Sequence, residues 1–218
     1  MKDVFKIFAD THKIIAGNIH ENIYNIYGIE LDKNRLLWGC VAPDILPQYR
    51  LRRHYKKESL NYVVKEITKL IFISRYVDID SDTDPIAIKI LSKKIGIISH
   101  YLSDYVCLPH AERWTFTSNN VIKHINYESK LNEYSPYHDF RRNVITVNDI
   151  NIYQERIIKL NHIIRKYIEE VIEEYSLKTG YKRDLDFALS LNLKMCYFII
   201  DTVNAYNEET HGNFAFEF

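Results

Sequence analysis

Glycine and proline are scarce here, six and five in 218 residues. Few breakers favour long uninterrupted elements over many short strands joined by tight turns. Cysteine is scarcer still. Cys40, Cys107 and Cys196 are too few and too scattered for a disulfide framework or a paired CxxC zinc site. Their odd number suits a reducing compartment. Neither sign of charge is in excess, since 29 Lys+Arg balance 29 Asp+Glu. That removes a global basic field for nucleic acid and an acidic interaction tail. No apolar run approaches the ~18 residues that cross a bilayer. Met1 to Asp10 has neither the apolar core nor the small-residue cleavage site of a secretory leader. The expectation is a cytoplasmic protein, with secretion of a processed form as the alternative.

The sequence is rich in residues that build a core. It is 46% hydrophobic and holds 17 tyrosines, enough for one domain spanning residues 1–218. The apolar spacing predicts an all-α fold, a single multi-helix bundle. Asp10 or Thr11 caps a first helix, with Ile14, Ile15, Ile19, Ile23 and Ile26 at helical spacing and Gly28 as its stop. Asp32 or Asn34 caps a second, stopped by Pro43. Residues 48–57 read as irregular and basic, with Arg50, Arg52, Arg53, Lys56 and Lys57 as an anion-facing candidate. Ser59 caps a helix to about Arg75. Asp78 to Asp84 reads as an acidic loop without the glycine and terminal glutamate of a calcium loop. Pro85 opens a helix reaching about Cys107, which Pro109 ends. Ser118-Asn119-Asn120 caps a further helix. Ile150 to Tyr175 and Leu185 to Tyr206, the latter capped by Asp184, complete the set. Trp38 and the tyrosine faces read as core.

Chemistry concentrates in the polar residues beside the helix breaks. His100 and Asp104 are four apart and share a helix face. His124 and Glu128 repeat that spacing. His12, Asp44, His54 and His110 stand next to caps or prolines. Histidine with Asp or Glu is the ligand chemistry of zinc. Eight such ligands exceed one tetrahedral site, so together they would serve two or three ions. His20, His162 and His211 read as surface or helix-face histidines. His138-Asp139 reads as a loop pair, and Cys107 as a small buried hydrophobe.

Taken in order, these residues resemble the zinc-dependent phospholipase C family of the phospholipase C/P1 nuclease superfamily. The resemblance rests on Thr11-His12, then Trp38-Gly39-Cys40-Val41-Ala42-Pro43-Asp44, then His54. It continues through His100-Tyr101-Leu102-Ser103-Asp104, Pro109-His110-Ala111 and His124 with Glu128. It covers about residues 10 to 130. It implies an all-helical bundle that hydrolyses phosphodiesters with clustered zinc ions. By that resemblance Asp44, His54, His100 and Asp104 hold one zinc, and His110, His124 and Glu128 a second. Asp104 bridges to a third completed by His12. Asp44 is also the catalytic general base that orients the attacking water. Two departures stand out. Secreted members complete the third site with an N-terminal Trp, whereas this chain begins Met1-Lys2-Asp3. The Met1 α-amino group or Asp10 is then the substitute, or the site stays weak. Choline-binding members also carry an aromatic residue after the Pro-Asp aspartate, and Ile45 stands there.

The substrate expected is a phosphodiester, either phospholipid or nucleotide. A nuclease or nucleotidase of the same superfamily is the alternative, with the basic segment meeting phosphates and tyrosines stacking bases. A non-catalytic, metal-stabilised interaction domain is the reading from another class.

Overall fold

The computed structural model describes residues 9–50, 52–75, 85–114, 118–151 and 160–214. Nine α-helices follow in order among them: α1 (Ala9–Tyr27), α2 (Lys33–Ile45), α3 (Pro47–Arg50), α4 (Lys56–Ser74), α5 (Pro85–Tyr105), α6 (Leu108–Ala111), α7 (Ser118–Tyr134), α8 (Leu160–Ser176) and α9 (Tyr181–Phe214). A single 3₁₀ turn, Ser135–Tyr137, follows α7. No strand occurs among the described residues, so the all-α expectation holds. The acidic loop at 78–84 and the 152–159 part of an expected helix lie outside them.

Helix α5 is the axis of the bundle. Every residue from Ile95 to Tyr105 is buried, because α1, α2, α4 and α9 all pack on it. An apolar helix would satisfy that environment cheaply. This one instead carries His100 and Asp104 into it, and buried polar groups cost free energy unless something pairs with them. Around α5 the core is continuous, from Ile15, Ile19 and Ile23 of α1 through Ile67 of α4 to Leu189 and Val203 of α9. Helix α8 adds Ile164, Ile168 and Val171.

The tightest pairing is α2 on α5, and two glycines allow it. A Cβ on Gly96 would lie 2.9 Å from the Gly39 Cα and 2.8 Å from the Cys40 nitrogen. Two side-chain ties fasten neighbouring segments to the axis. Ser92 Oγ accepts the Asp32 N–H at 2.9 Å, and the Asn192 amide donates to Ser103 Oγ at 3.0 Å.

Local expectations fail in informative places. Pro43 does not stop α2 but sits inside it. It forfeits one bond in the last turn, where the helix is about to end anyway. Asp32 does cap α2, accepting the Arg35 N–H at 2.9 Å. Pro47 opens a short helix in the segment expected to be irregular. Ser59 is no cap, since α4 starts at Lys56. Its hydroxyl is buried against the Tyr55 carbonyl and the Tyr105 hydroxyl. Helix α5 ends at Tyr105, before Pro109, and Pro109 instead lies in the first turn of α6, where a missing N–H costs nothing. Ile150 and Asn151 are not helical, and Asp184 is inside the first turn of α9. Trp38 is 40% exposed, on the face of α2 turned from the bundle.

Candidate metal centre

Six separate segments deliver polar side chains to one place. His12 comes from the first turn of α1, Asp44 from the last turn of α2, and His54 from the stretch between α3 and α4. His100 and Asp104 project from α5, His110 from α6, and His124 and Glu128 from α7. All eight residues expected as ligands are therefore brought together.

Asp104 is the centre of the arrangement. Its Oδ1 lies 3.4 Å from His12 Nε2 and 3.9 Å from His110 Nε2. Its Oδ2 lies 3.0 Å from His54 Nδ1 and 3.3 Å from His100 Nε2. Asp44 Oδ1 faces the same pair, 3.6 Å from His54 Nδ1 and 3.5 Å from His100 Nε2. On the other flank Glu128 Oε1 meets His110 Nε2 at 2.9 Å and His124 Nε2 at 2.8 Å. Three groups emerge whose ligand atoms lie within 4.8 Å of one another: His12, His100 and Asp104; Asp44, His54 and His100; His110, His124 and Glu128.

The residues fit a metal. Asp104 Oδ2 is buried with no hydrogen-bond partner, so its near contacts lack the directionality of hydrogen bonds. A cation answers that deficit. Two histidines are held by backbone carbonyls on the ring edge away from the cluster, His100 Nδ1 by Cys40 at 2.8 Å and His124 Nδ1 by Trp114 at 3.3 Å. Donation there leaves the Nε2 lone pair facing inward, the usual support of a metal-binding imidazole. His12 stacks on His100 with ring centroids 4.2 Å apart, and both rings turn a nitrogen to the Asp104 carboxylate.

Local geometry explains the second flank. Pro109 begins α6, and Arg113 ends it at φ 52°, a left-handed conformation that costs a non-glycine residue about 1–2 kcal/mol. The turn is secured by Trp114 N–H on the Pro109 carbonyl at 2.8 Å and Arg113 N–H on the His110 carbonyl at 3.2 Å, a Schellman closure. It brings the Trp114 carbonyl to His124. His110 accordingly faces His124, centroids 4.8 Å apart, and stands 6.3 Å from His54.

Several readings are corrected. Asp10 is exposed and paired with Lys13 at 3.2 Å, so it does not join the cluster. Met1 lies outside the described residues. His138 pairs with Asp186 at 2.7 Å, not with the exposed Asp139. Cys107, by contrast, is buried as expected of a small hydrophobe, and burial drives its thiol pKa well up. Asp184, expected only as a cap, is a buried carboxylate accepting bonds from Tyr127, Tyr175 and two backbone amides. Nothing in its sequence context distinguishes it from an ordinary helix-capping acid. The Cys40 and Trp114 carbonyls carry no side-chain signal at all.

The electrostatics couple metal and protons. Burial would lower the pKa of His100, but Asp104 and Asp44 overcome it and raise it to about 9. His110 rises to about 9 against the same burial, through Asp104 and Glu128. Burial would raise Asp104 and Glu128, yet the imidazoles hold Asp104 well below the usual range and Glu128 at about 2. In the metal-free protein the two histidines therefore contribute stability present in full below about pH 6.5 and lost as pH rises through about 9. Glu128 contributes stability present above about pH 4.5 and lost as pH falls through about 2. Metal ligation requires neutral imidazoles. Zinc binding near neutral pH is thus expected to release protons from His100 and His110. Calorimetric titration in buffers of different ionisation enthalpy measures the number, and a heat independent of buffer would refute it.

Residues 11–181 match the model of the family described as zinc dependent phospholipase C. No curated protein and no solved structure matches. The matched stretch contains all eight clustered side chains, and the chain belongs to the zinc-dependent phospholipase C family.

Proposed function

We propose that the chain is a zinc-dependent phosphodiester hydrolase, with His12, Asp44, His54, His100, Asp104, His110, His124 and Glu128 as metal ligands in one domain. The observation that carries this reading is the convergence of five imidazoles and three carboxylates into three groups, with Asp104 Oδ2 buried and without a hydrogen-bond partner. Asp44, His54, His100 and Asp104 would hold one ion, and His110, His124 and Glu128 a second. His12 with Asp104 would hold a third, giving two or three in all.

Zinc, when bound, polarises a phosphoryl oxygen and eases the loss of a proton from water near neutral pH. The remaining work falls to the protein. The Cys40 and Trp114 carbonyls fix the tautomers of His100 and His124. Asp104, with its side chain only 6% exposed, is too deep to meet substrate and serves to hold the groups together. Asp44 is the most exposed of the three carboxylates at 28%. It is therefore the one that a substrate-side water reaches, and we assign it the general-base role of accepting the proton from that water.

Ile45 is 41% exposed beside Asp44. An isoleucine offers no aromatic face to a quaternary ammonium, which argues against phosphatidylcholine. A second reading, hydrolysis of nucleotide or nucleic-acid phosphodiesters, is favoured by an open concavity of about 450 Å³ lined by Gln48, Arg52, Arg53 and Glu58. It begins one residue before His54.

The test is hydrolysis of lipid and nucleotide phosphodiesters by protein of measured zinc content. Chelation is expected to abolish turnover and added zinc to restore it, and Glu128→Gln to lose both second-site zinc and activity. Turnover indifferent to chelation would overturn the reading. A loss of thermal stability on chelation, with no substrate ever turned over, would support a structural metal instead.

A further inference from the structure

We propose that Asp184 is a positioning residue for the second metal group, fastening together the two helices that carry His110, His124 and Glu128. The inference rests on the reading that those three side chains hold zinc.

Asp184 is 2% exposed, in the first turn of α9. Its two oxygens have different clients. Oδ1 serves its own neighbourhood, accepting the Tyr175 hydroxyl at 2.7 Å and the Gly180 N–H at 3.4 Å. Those partners lie at the end of α8 and immediately before α9. Oδ2 serves the metal-facing elements, accepting the Leu108 N–H at 3.3 Å and the Tyr127 hydroxyl at 2.7 Å.

Both Oδ2 partners stand next to proposed ligands. Leu108 is the first residue of α6, two before His110. The N-cap of α6, Cys107, makes no side-chain capping bond, and Pro109 has no N–H. Leu108 therefore offers a first-turn amide that the helix itself cannot satisfy, and Asp184 satisfies it from another element. Tyr127 precedes Glu128 on α7 and lies three residues after His124. One carboxylate oxygen thus sets the distance between the start of α6 and the middle of α7. That distance decides whether the His110 and His124 nitrogens meet on Glu128 Oε1, at 2.9 and 2.8 Å. The Schellman closure fixes the C-terminal end of this four-residue helix, and Asp184 fixes its N-terminal end. Asp184 also lies beyond the family-matched stretch 11–181, so the match does not assign it a role.

The two tyrosines provide a matched test, because each donates one hydroxyl to the same buried carboxylate. Tyr127→Phe cuts the tie to α7, and Tyr175→Phe cuts the tie to α8. Zinc per chain is measured after equilibration with chelator-buffered zinc, and thermal stability by circular dichroism. Tyr127→Phe is expected to weaken one zinc by about 10–100-fold, the effect of removing an outer support of a ligand. It should be the same zinc that Glu128→Gln removes, so the double variant loses no further ion. Tyr175→Phe is expected to lower thermal stability while zinc affinity stays at the wild-type value. Asp184→Asn should lose that same zinc, and the tyrosine pair decides the matter if this variant fails to fold. Equal zinc binding by the two phenylalanine variants, with wild type retaining its zinc, would overturn this inference alone. A wild-type chain that retains no zinc would overturn the metal centre and the inference together.

Discussion

Asp104→Asn is expected to lower kcat/KM by about 10³-fold or more and to reduce bound zinc at two groups at once. Asp104 faces His54 and His100 with one oxygen and His12 and His110 with the other. An amide keeps the volume but offers one neutral acceptor where a charge with two stood. Bound metal supplies several kcal/mol of transition-state stabilisation, and each 1.36 kcal/mol is tenfold in rate. The same change separates catalysis from folding. In the metal-free protein it removes the carboxylate that keeps His100 and His110 protonated up to about pH 9, so the dependence of stability on alkaline pH should flatten. Wild-type zinc content and turnover in this variant would sink the assignment of Asp104 as the shared ligand.

Gly96→Ala is expected to cost about 1–3 kcal/mol, the usual loss of an overpacked core, and to weaken zinc binding with it. The added methyl would meet backbone on three sides: the Leu36 carbonyl, the Cys40 amide and the Gly39 Cα. Backbone cannot swing aside as a flexible side chain can, so α2 must move from α5. Asp44 rides on α2 and His100 on α5, and the Cys40 carbonyl orients His100. A change 52 residues from Asp44 along the sequence, adding no charge, would thus reach the site through one helix contact. Gly17→Ala is the control. Gly17 lies inside α1 with nothing within 4 Å of its notional Cβ, so alanine should stabilise by about 0.5–1 kcal/mol through helix propensity. Chemical denaturation measures both. Equal stability of the Gly96→Ala and wild-type proteins would show that the helices can part at no cost.

The helical fold and the residues that cluster were legible along the chain because each depends on local chemistry. Scarce breakers and period-3.6 apolar spacing determined an all-α bundle, and the i, i+4 pairs His100/Asp104 and His124/Glu128 determined two faces of polar ligands. Prolines are less legible. Pro43 and Pro109 were expected to end helices, yet one sits in a final turn and the other in a first turn. Both are places where a missing N–H is tolerated, and tertiary packing chooses which side of the proline is helical.

Tertiary structure alone decided what those ligands do together. A single sequence cannot show that Asp104 turns one oxygen to His54 and His100 and the other to His12 and His110, because that depends on how six segments meet. It cannot show the carbonyls of Cys40 and Trp114 behind two imidazoles, since every residue has a carbonyl. Nor can it separate Asp184 from an ordinary capping acid. What separates it is burial beneath α6 and α7, where an ionisable group survives only with its partners in place. Sequence determined which residues are of a kind to hold a metal, and packing around α5 determined which atoms face one another.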